Sequence, residues 1–162
     1  MKKQFYALIV ILLAHTNNVW AKNTDQELQV LFAVNQLLHS INTNDLKLMA
    51  KVSREDGVNF ISTKLENGKF SVRSVAQSKY LHPENEPQGQ YFERIWEPQI
   101  ILNEQIAVVW AKYDFHIDGK FSHCGVDIFN LILDNGVWKT ASMTWTVQKQ
   151  DCAPSPLGKI IP

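Results

Sequence analysis

Asp114 and His123 are the sharpest pair of proton-moving groups in this 162-residue chain. A two-residue turn at Asp118-Gly119 sets them opposite one another on adjacent strands, facing the same way. A carboxylate beside an imidazole fixes its tautomer and raises its pKa, giving a general base near neutrality for proton transfer next to a carbonyl. The same geometry serves equally as a cross-strand polar contact that satisfies its own hydrogen bonds. In that register Asp127 lies beside Trp110 and opposite Thr144, an acceptor next to an apolar platform for a planar ligand, or else a buried carboxylate held by a hydroxyl and backbone donors. Glu93 or Arg94 joins from the neighbouring strand. A simple turn at Asn103-Glu104 selects Glu93, whereas a bulge selects Arg94, which would neutralise Asp114 or bind an anion.

His116, His123, Asp114 and Asp127 are the residue types that hold zinc or iron, but no ligand-spacing motif supports a metal, and none is expected. Phosphate-cradling glycine loops and dinucleotide fingerprints are missing from the sequence, so no cofactor is expected either. Cys124 points away from His123 and is not its nucleophilic partner. A disulfide between Cys124 and Cys152 stays open: Cys124 pairs in register with Val147, so Cys152 lies five residues on, about 17 Å along a straight strand, and the tail must turn back to reach it.

The elements that must position these groups follow from periodicity. Leu28, Leu31, Phe32, Asn35, Leu38 and Ile41 recur at helical spacing over 25–41, after Thr24 or Asp25 as cap. Asn44 caps a short second helix through Leu46, Leu48 and Met49, Val58 to Leu65 reads as a strand, and a third short helix is expected over 71–80. His82 to Gly89 is a loop. Four β-rich segments follow (90–102, 105–117, 120–133 and 137–149), separated by Asn103-Glu104, Asp118-Gly119 and Asn135-Gly136, and the last two dipeptides are strong hairpin signals. Helices first and a curled antiparallel sheet second is the α+β pattern.

Lys2 and Lys3, the ten apolar residues Phe5 to Ala14 and the sequence Val19-Trp20-Ala21 have the layout of a secretory signal peptide over 1–21. Ten residues rise only about 15 Å as a helix, too little to anchor in a membrane. The expected organisation is therefore a leader, a domain over 22–150 and an extended tail over 151–162, in a periplasmic or secreted protein with no membrane association after cleavage. The whole chain carries 16 basic and 16 acidic residues, and loss of Lys2 and Lys3 leaves a mature net charge of minus two. That balance argues against nucleic acid as a partner.

Register also sorts the sheet into faces. One carries Trp110, Lys112, Asp114, His116, His123, Asp127, Thr144 and Thr146 at its polar end, and Ile106, Val108, Phe129, Leu131, Leu133 and Trp138 at its apolar end. The other is nearly all hydrophobic, with Val109, Ala111, Tyr113, Phe115, Met143, Trp145 and Val147 among its residues. Either the helices cap the apolar end of the mixed face and leave a polar cavity wall, or they cover the hydrophobic face.

The run Phe92-Glu93-Arg94-Ile95-Trp96-Glu97-Pro98, followed by Ala107 to Phe115, Gly119 to Asp127 and Gly136 to Ser142, resembles the nuclear transport factor 2-like superfamily, in particular its secreted bacterial branch. The tail Cys152 to Gly158 is similar to that branch too. The resemblance implies a cone: three helices on a strongly curved, mainly antiparallel sheet enclosing a pocket, often in a homodimer packed through sheets. It favours the first face assignment, with the hydrophobic face meeting a second copy. It also implies a scaffold shared by isomerases, cyclases, dehydratases and ligand binders. Where many relatives carry a His-x-His pair, this chain has Ser142 and Thr144. The expected function is binding of a small, partly apolar molecule by Trp110, Asp114, His123, Asp127 and Thr144. The alternatives are a cofactor-independent enzyme using Asp114 and His123, or a dimeric interaction protein without a ligand.

Overall fold

The computed structural model describes residues 16–82, 84 and 89–160. The basic start and apolar run of the leader lie outside the described residues. Helix α1 spans Thr16–Thr43 and α2 spans Leu46–Val52. Asn44 takes a positive φ of 52° between them, and Asp45, not Asn44, caps α2, accepting from the Leu48 N–H at 2.9 Å. This satisfies one of the free donors of the first turn.

Six strands form one sheet: β1 (Val58–Lys64), β2 (Phe70–Ala76), β3 (Tyr91–Asn103), β4 (Ile106–Ile117), β5 (Lys120–Asp134) and β6 (Val137–Val147). Their order across the sheet is β2-β1-β6-β5-β4-β3, antiparallel throughout except where β1 pairs parallel with β6. The fold is thus α+β, but with two α-helices. The third helix expected over 71–80 is strand β2 followed by a single 3-10 turn, Gln77–Tyr80. Val72 and Val75 are β-branched and suit a strand better than a helix, and pairing with β1 supplies the hydrogen bonds.

Helix α1 buries Val30, Ala33, Val34, Leu37 and Leu38, while Leu28 and Phe32 are exposed. Its inward stripe is therefore rotated from the expected one, and the smaller Val and Ala side chains let the helix approach the sheet. The core it completes contains Ala107, Val109, Phe129, Leu131 and Trp138. The sheet face under the helices therefore carries Val109 and Phe129 together, not one or the other.

Three register shifts explain this. The turn at Asp118-Gly119 is tight, with φ of 50° and 73°, and pairs Ile117 with Lys120 and His116 with Phe121. An extra residue at Ser122 then sets His123 opposite Phe115, Cys124 opposite Asp114 and Asp127 opposite Ala111. A second shift at Ala141 keeps Leu131 opposite Thr140 and Leu133 opposite Trp138 but places Phe129 opposite Met143 and Asp127 opposite Trp145. The third lies at Glu97-Pro98, between the pairs Trp96–Lys112 and Gln99–Trp110. Each extra residue reverses which side chains share a face beyond it. The hydrophobic residues of β4 consequently pack under the helices, and the outer face of the sheet carries the row Trp110, Ile128, Thr144 and Phe60 across β4, β5, β6 and β1.

The tail turns back at Asp151, where φ is 59°. Cys124 pairs with Gln148, and Cys124 and Cys152 are joined by a disulfide with Cα atoms 6.0 Å apart. The tail then runs over the outer face, where the Gly158 carbonyl accepts from Arg94 Nη1 at 3.0 Å.

Candidate functional site

A cavity of about 460 Å³ lies between the inner face of the sheet, the α1–α2 turn and the 3-10 turn. Its wall is mainly apolar and aromatic, with Ile41, Tyr91, Phe115, Met143 and Trp145 among its side chains. Within that wall sit Glu93 of β3, Asp127 of β5 and His123 of β5. Asp127 is 1% exposed and Glu93 7%.

Glu93 is anchored through its backbone. Its N–H donates to Asn42 Oδ1 at 2.6 Å and its carbonyl accepts from Asn42 Nδ2 at 2.9 Å, so α1 holds this stretch of β3 as a strand neighbour would. Ala111 opposite Asp127 leaves room for the two carboxyl groups to meet across β4, where they hydrogen-bond to each other. Gly125 makes a further close approach possible: a Cβ there would fall 2.1 Å from the Thr146 carbonyl oxygen and 2.8 Å from the Tyr113 ring. Tyr113 instead crosses the glycine and donates to that carbonyl at 2.7 Å.

Burial pushes both carboxyls up, Glu93 to about 6 and Asp127 well above its ordinary value, each further affected by the other. Two carboxyls this close hold one proton between them at neutral pH. Tyr113 is raised by burial and by the same two groups. His123 goes the other way, lowered by burial to about 4, and stacks on Phe115 with ring centres 4.9 Å apart. It is a neutral wall residue that also meets the Ser122 hydroxyl at 3.0 Å.

These shifts fix a pH dependence. The folded chain binds more protons than the unfolded chain on Glu93 and Asp127 above about pH 4, so their contribution to stability falls as pH rises through about 6 and beyond. His123 has the opposite sign: the unfolded imidazole takes a proton that the folded one refuses, so stability is lost as pH falls from about 6.5 to about 4. His116 is also lowered by burial and adds to that trend. Above about pH 6.5 only the carboxyl pair acts. Denaturant titrations should show stability declining as pH rises beyond about 6.5, and Asp127→Asn should flatten the decline. An unchanged slope in Asp127→Asn would remove the pair as its cause.

Of the residues expected to form a site, His123 and Asp127 face the cavity. Asp114, Trp110 and Thr144 do not. Asp114 stands on the outer face, where Arg94 Nε and Nη2 donate to its two oxygens at 2.9 and 2.5 Å. His116 Nδ1 lies 3.8 Å from the same carboxylate. The Asp114–His123 base is thus corrected: the Ser122 bulge puts its two members on opposite faces. Among the described residues no group of three or more His, Cys, Asp or Glu side chains could hold a metal ion. Sequence reasoning weighed Glu93 without choosing it and missed the wall from Tyr91, Tyr113, Phe115 and Trp145. Pro98 inside a strand was the available signal, because proline within a sheet marks a bulge or an edge.

A curved sheet closed at one end by helices, with a cavity between them, defines the nuclear transport factor 2-like fold, and solved structures with such names match it. An NTF2-like protein from Cytophaga hutchinsonii superimposes with a TM-score of 0.62 at 15% identity, covering 76% of this chain and 98% of that one. A function-unknown protein from Mycobacterium tuberculosis gives 0.63 at 12% identity over 85% and 80% of the two chains. A third match is the beta subunit assigned to an aromatic-ring-hydroxylating dioxygenase of Novosphingobium aromaticivorans, with a TM-score of 0.60 at 12% identity over 82% and 95%. No family model matches the sequence, and no curated protein is similar to it.

Proposed function

We propose that this protein is exported and holds a small, partly apolar molecule in its cavity without a cofactor. The cavity itself carries the reading: about 460 Å³ bounded by aromatic and aliphatic side chains with a few polar groups among them, the composition of small-molecule sites. A cone filled by its own side chains would not leave that volume. The leader pattern over 1–21 and the disulfide support export to a periplasmic or extracellular compartment. A second copy is proposed to pack on the outer sheet face around Trp110 and Ile128, since the hydrophobic residues first assigned to that contact lie inward.

A native mass spectrum of the protein purified from the exported fraction tests this. The expected result is a dimer mass, two hydrogens lost per chain and an adduct. Protein that carries no adduct and takes up no anilinonaphthalene sulfonate would overturn the binding reading. A proton-transfer enzyme is the second reading, favoured by one observation: the carboxyl pair in an apolar cavity, with Glu93 ionising near pH 6, is suited to general base work. In that case Glu93, not Asp114 with His123, takes the proton.

A further inference from the structure

The cavity wall holds several buried acceptors that the chain leaves unsatisfied. Asn44, Gln77 and Asp127 all contribute to its wall, and each keeps a buried side-chain oxygen that receives no hydrogen bond from the chain. The remaining acid, Glu93, shares the wall with Asp127. Among the described residues no Lys or Arg ion-pairs with either carboxyl, while the outer-face acid Asp114 has Arg94 and the exposed Glu97 has Lys112 at 2.7 Å. Tyr91, Tyr113, Phe115 and Trp145 line the same cavity. Aromatic faces attract cations, and an ammonium group offers three N–H donors and no acceptor.

We propose that the molecule held in the cavity is an organic cation, an aryl- or alkylammonium whose nitrogen sits at the Glu93–Asp127 pair and whose apolar part lies against the aromatic wall. The proposal rests on the binding reading above and names its ligand class. The groups facing Glu93 set the charge balance. Asp127 comes from β5 and Tyr113 from β4, Asp114 lies behind it on the outer face already neutralised, and Asn42 of α1 bonds only its backbone. His123 is neutral, and Arg73 reaches the cavity from β2, where it hydrogen-bonds Tyr80. With the proton shared, the Glu93–Asp127 pair keeps one negative charge at neutral pH, while the exposed Arg73 adds one positive charge to the wall without pairing with either carboxyl.

Calorimetric titration with three probes of one shape tests it: 2-phenylethylamine, 2-phenylethanol and phenylacetate, cationic, neutral and anionic at about pH 7.5. The amine is expected to bind at least about tenfold more tightly than the alcohol, and phenylacetate most weakly. Glu93→Gln should abolish the amine preference, whereas Asp127→Asn, whose amide can still donate to Glu93, should keep it. Should Glu93→Gln fail to fold, the wild-type protein at about pH 5 gives the same reading, because protonation of Glu93 should erase the preference there. Alcohol binding as tight as amine binding, or a preference that survives Glu93→Gln or about pH 5, would overturn the cation assignment and leave the binding reading standing. No binding of any probe at millimolar concentration would overturn both.

Discussion

Arg94→Met is expected to lower folding stability by about 3–5 kcal/mol, the usual cost of stranding one member of a buried ion pair. The side chains of Arg94 and Asp114 are only 14% and 7% exposed, and two of the arginine's N–H groups grip both carboxylate oxygens. Methionine keeps the apolar stem but leaves Asp114 under the tail with only the His116 ring near it, 3.8 Å away. Adding Asp114→Leu should restore most of the loss, because an apolar pair of similar volume often replaces a buried ion pair at little cost. Chemical denaturation of the wild type, the two single variants and the double variant would check it. A single-variant loss below about 1 kcal/mol would put the pair in the class of surface ion pairs and sink the argument.

Opening the Cys124–Cys152 disulfide is the second large effect. The bridge spans 28 residues, and restraint of the unfolded chain over a loop of that length contributes about 3–4 kcal/mol. Cys152→Ser should show this in a denaturation midpoint under oxidising conditions, and reduction of the wild type should reproduce it. A variant as stable as the wild type would mean that the bridge adds nothing to the fold. The two losses should not add, since both loosen the same stretch of tail over Arg94 and Asp114.

Much of the sheet was legible from its turns. Asp118-Gly119 and Asn135-Gly136 take the positive φ values that make them tight hairpins, and the four-strand meander they join is where the periodicity placed it. The residue-level site was less so, for one reason. On β5 the expected face of His123, Asp127, Phe129 and Leu131 is the observed one, and all four line the cavity or the core. Its neighbours each carry a one-residue shift relative to it, so Trp110 and Asp114 on β4 and Thr144 on β6 were assigned to the wrong side. Ser122 and Ala141 have nothing in their side chains that announces a bulge. The choice of Arg94 over Glu93 as the partner of Asp114 did depend on a bulge, as anticipated, but on one at Glu97-Pro98 and not at the turn, whose central residues are Glu104 and Gln105. Glu93 was thereby released to the inner face. Strand β2 was misread because a seven-residue edge strand has no partner in its own vicinity except β1, and β1 finds its other neighbour 84 residues away.

That distant pairing governs the order in which the molecule can form. The β1–β2 hairpin is made early in synthesis, yet two strands alone are marginal in water. Its only other neighbour in the sheet is β6, the last strand of the chain. Until β6 emerges the β1–β2 hairpin has no strand of the larger sheet to pair with, and closing so long a loop is slow. A growing chain therefore keeps that side of the sheet open until β6 has been made. A chain cut short before Val137 would lose the junction between its halves and not merely one strand.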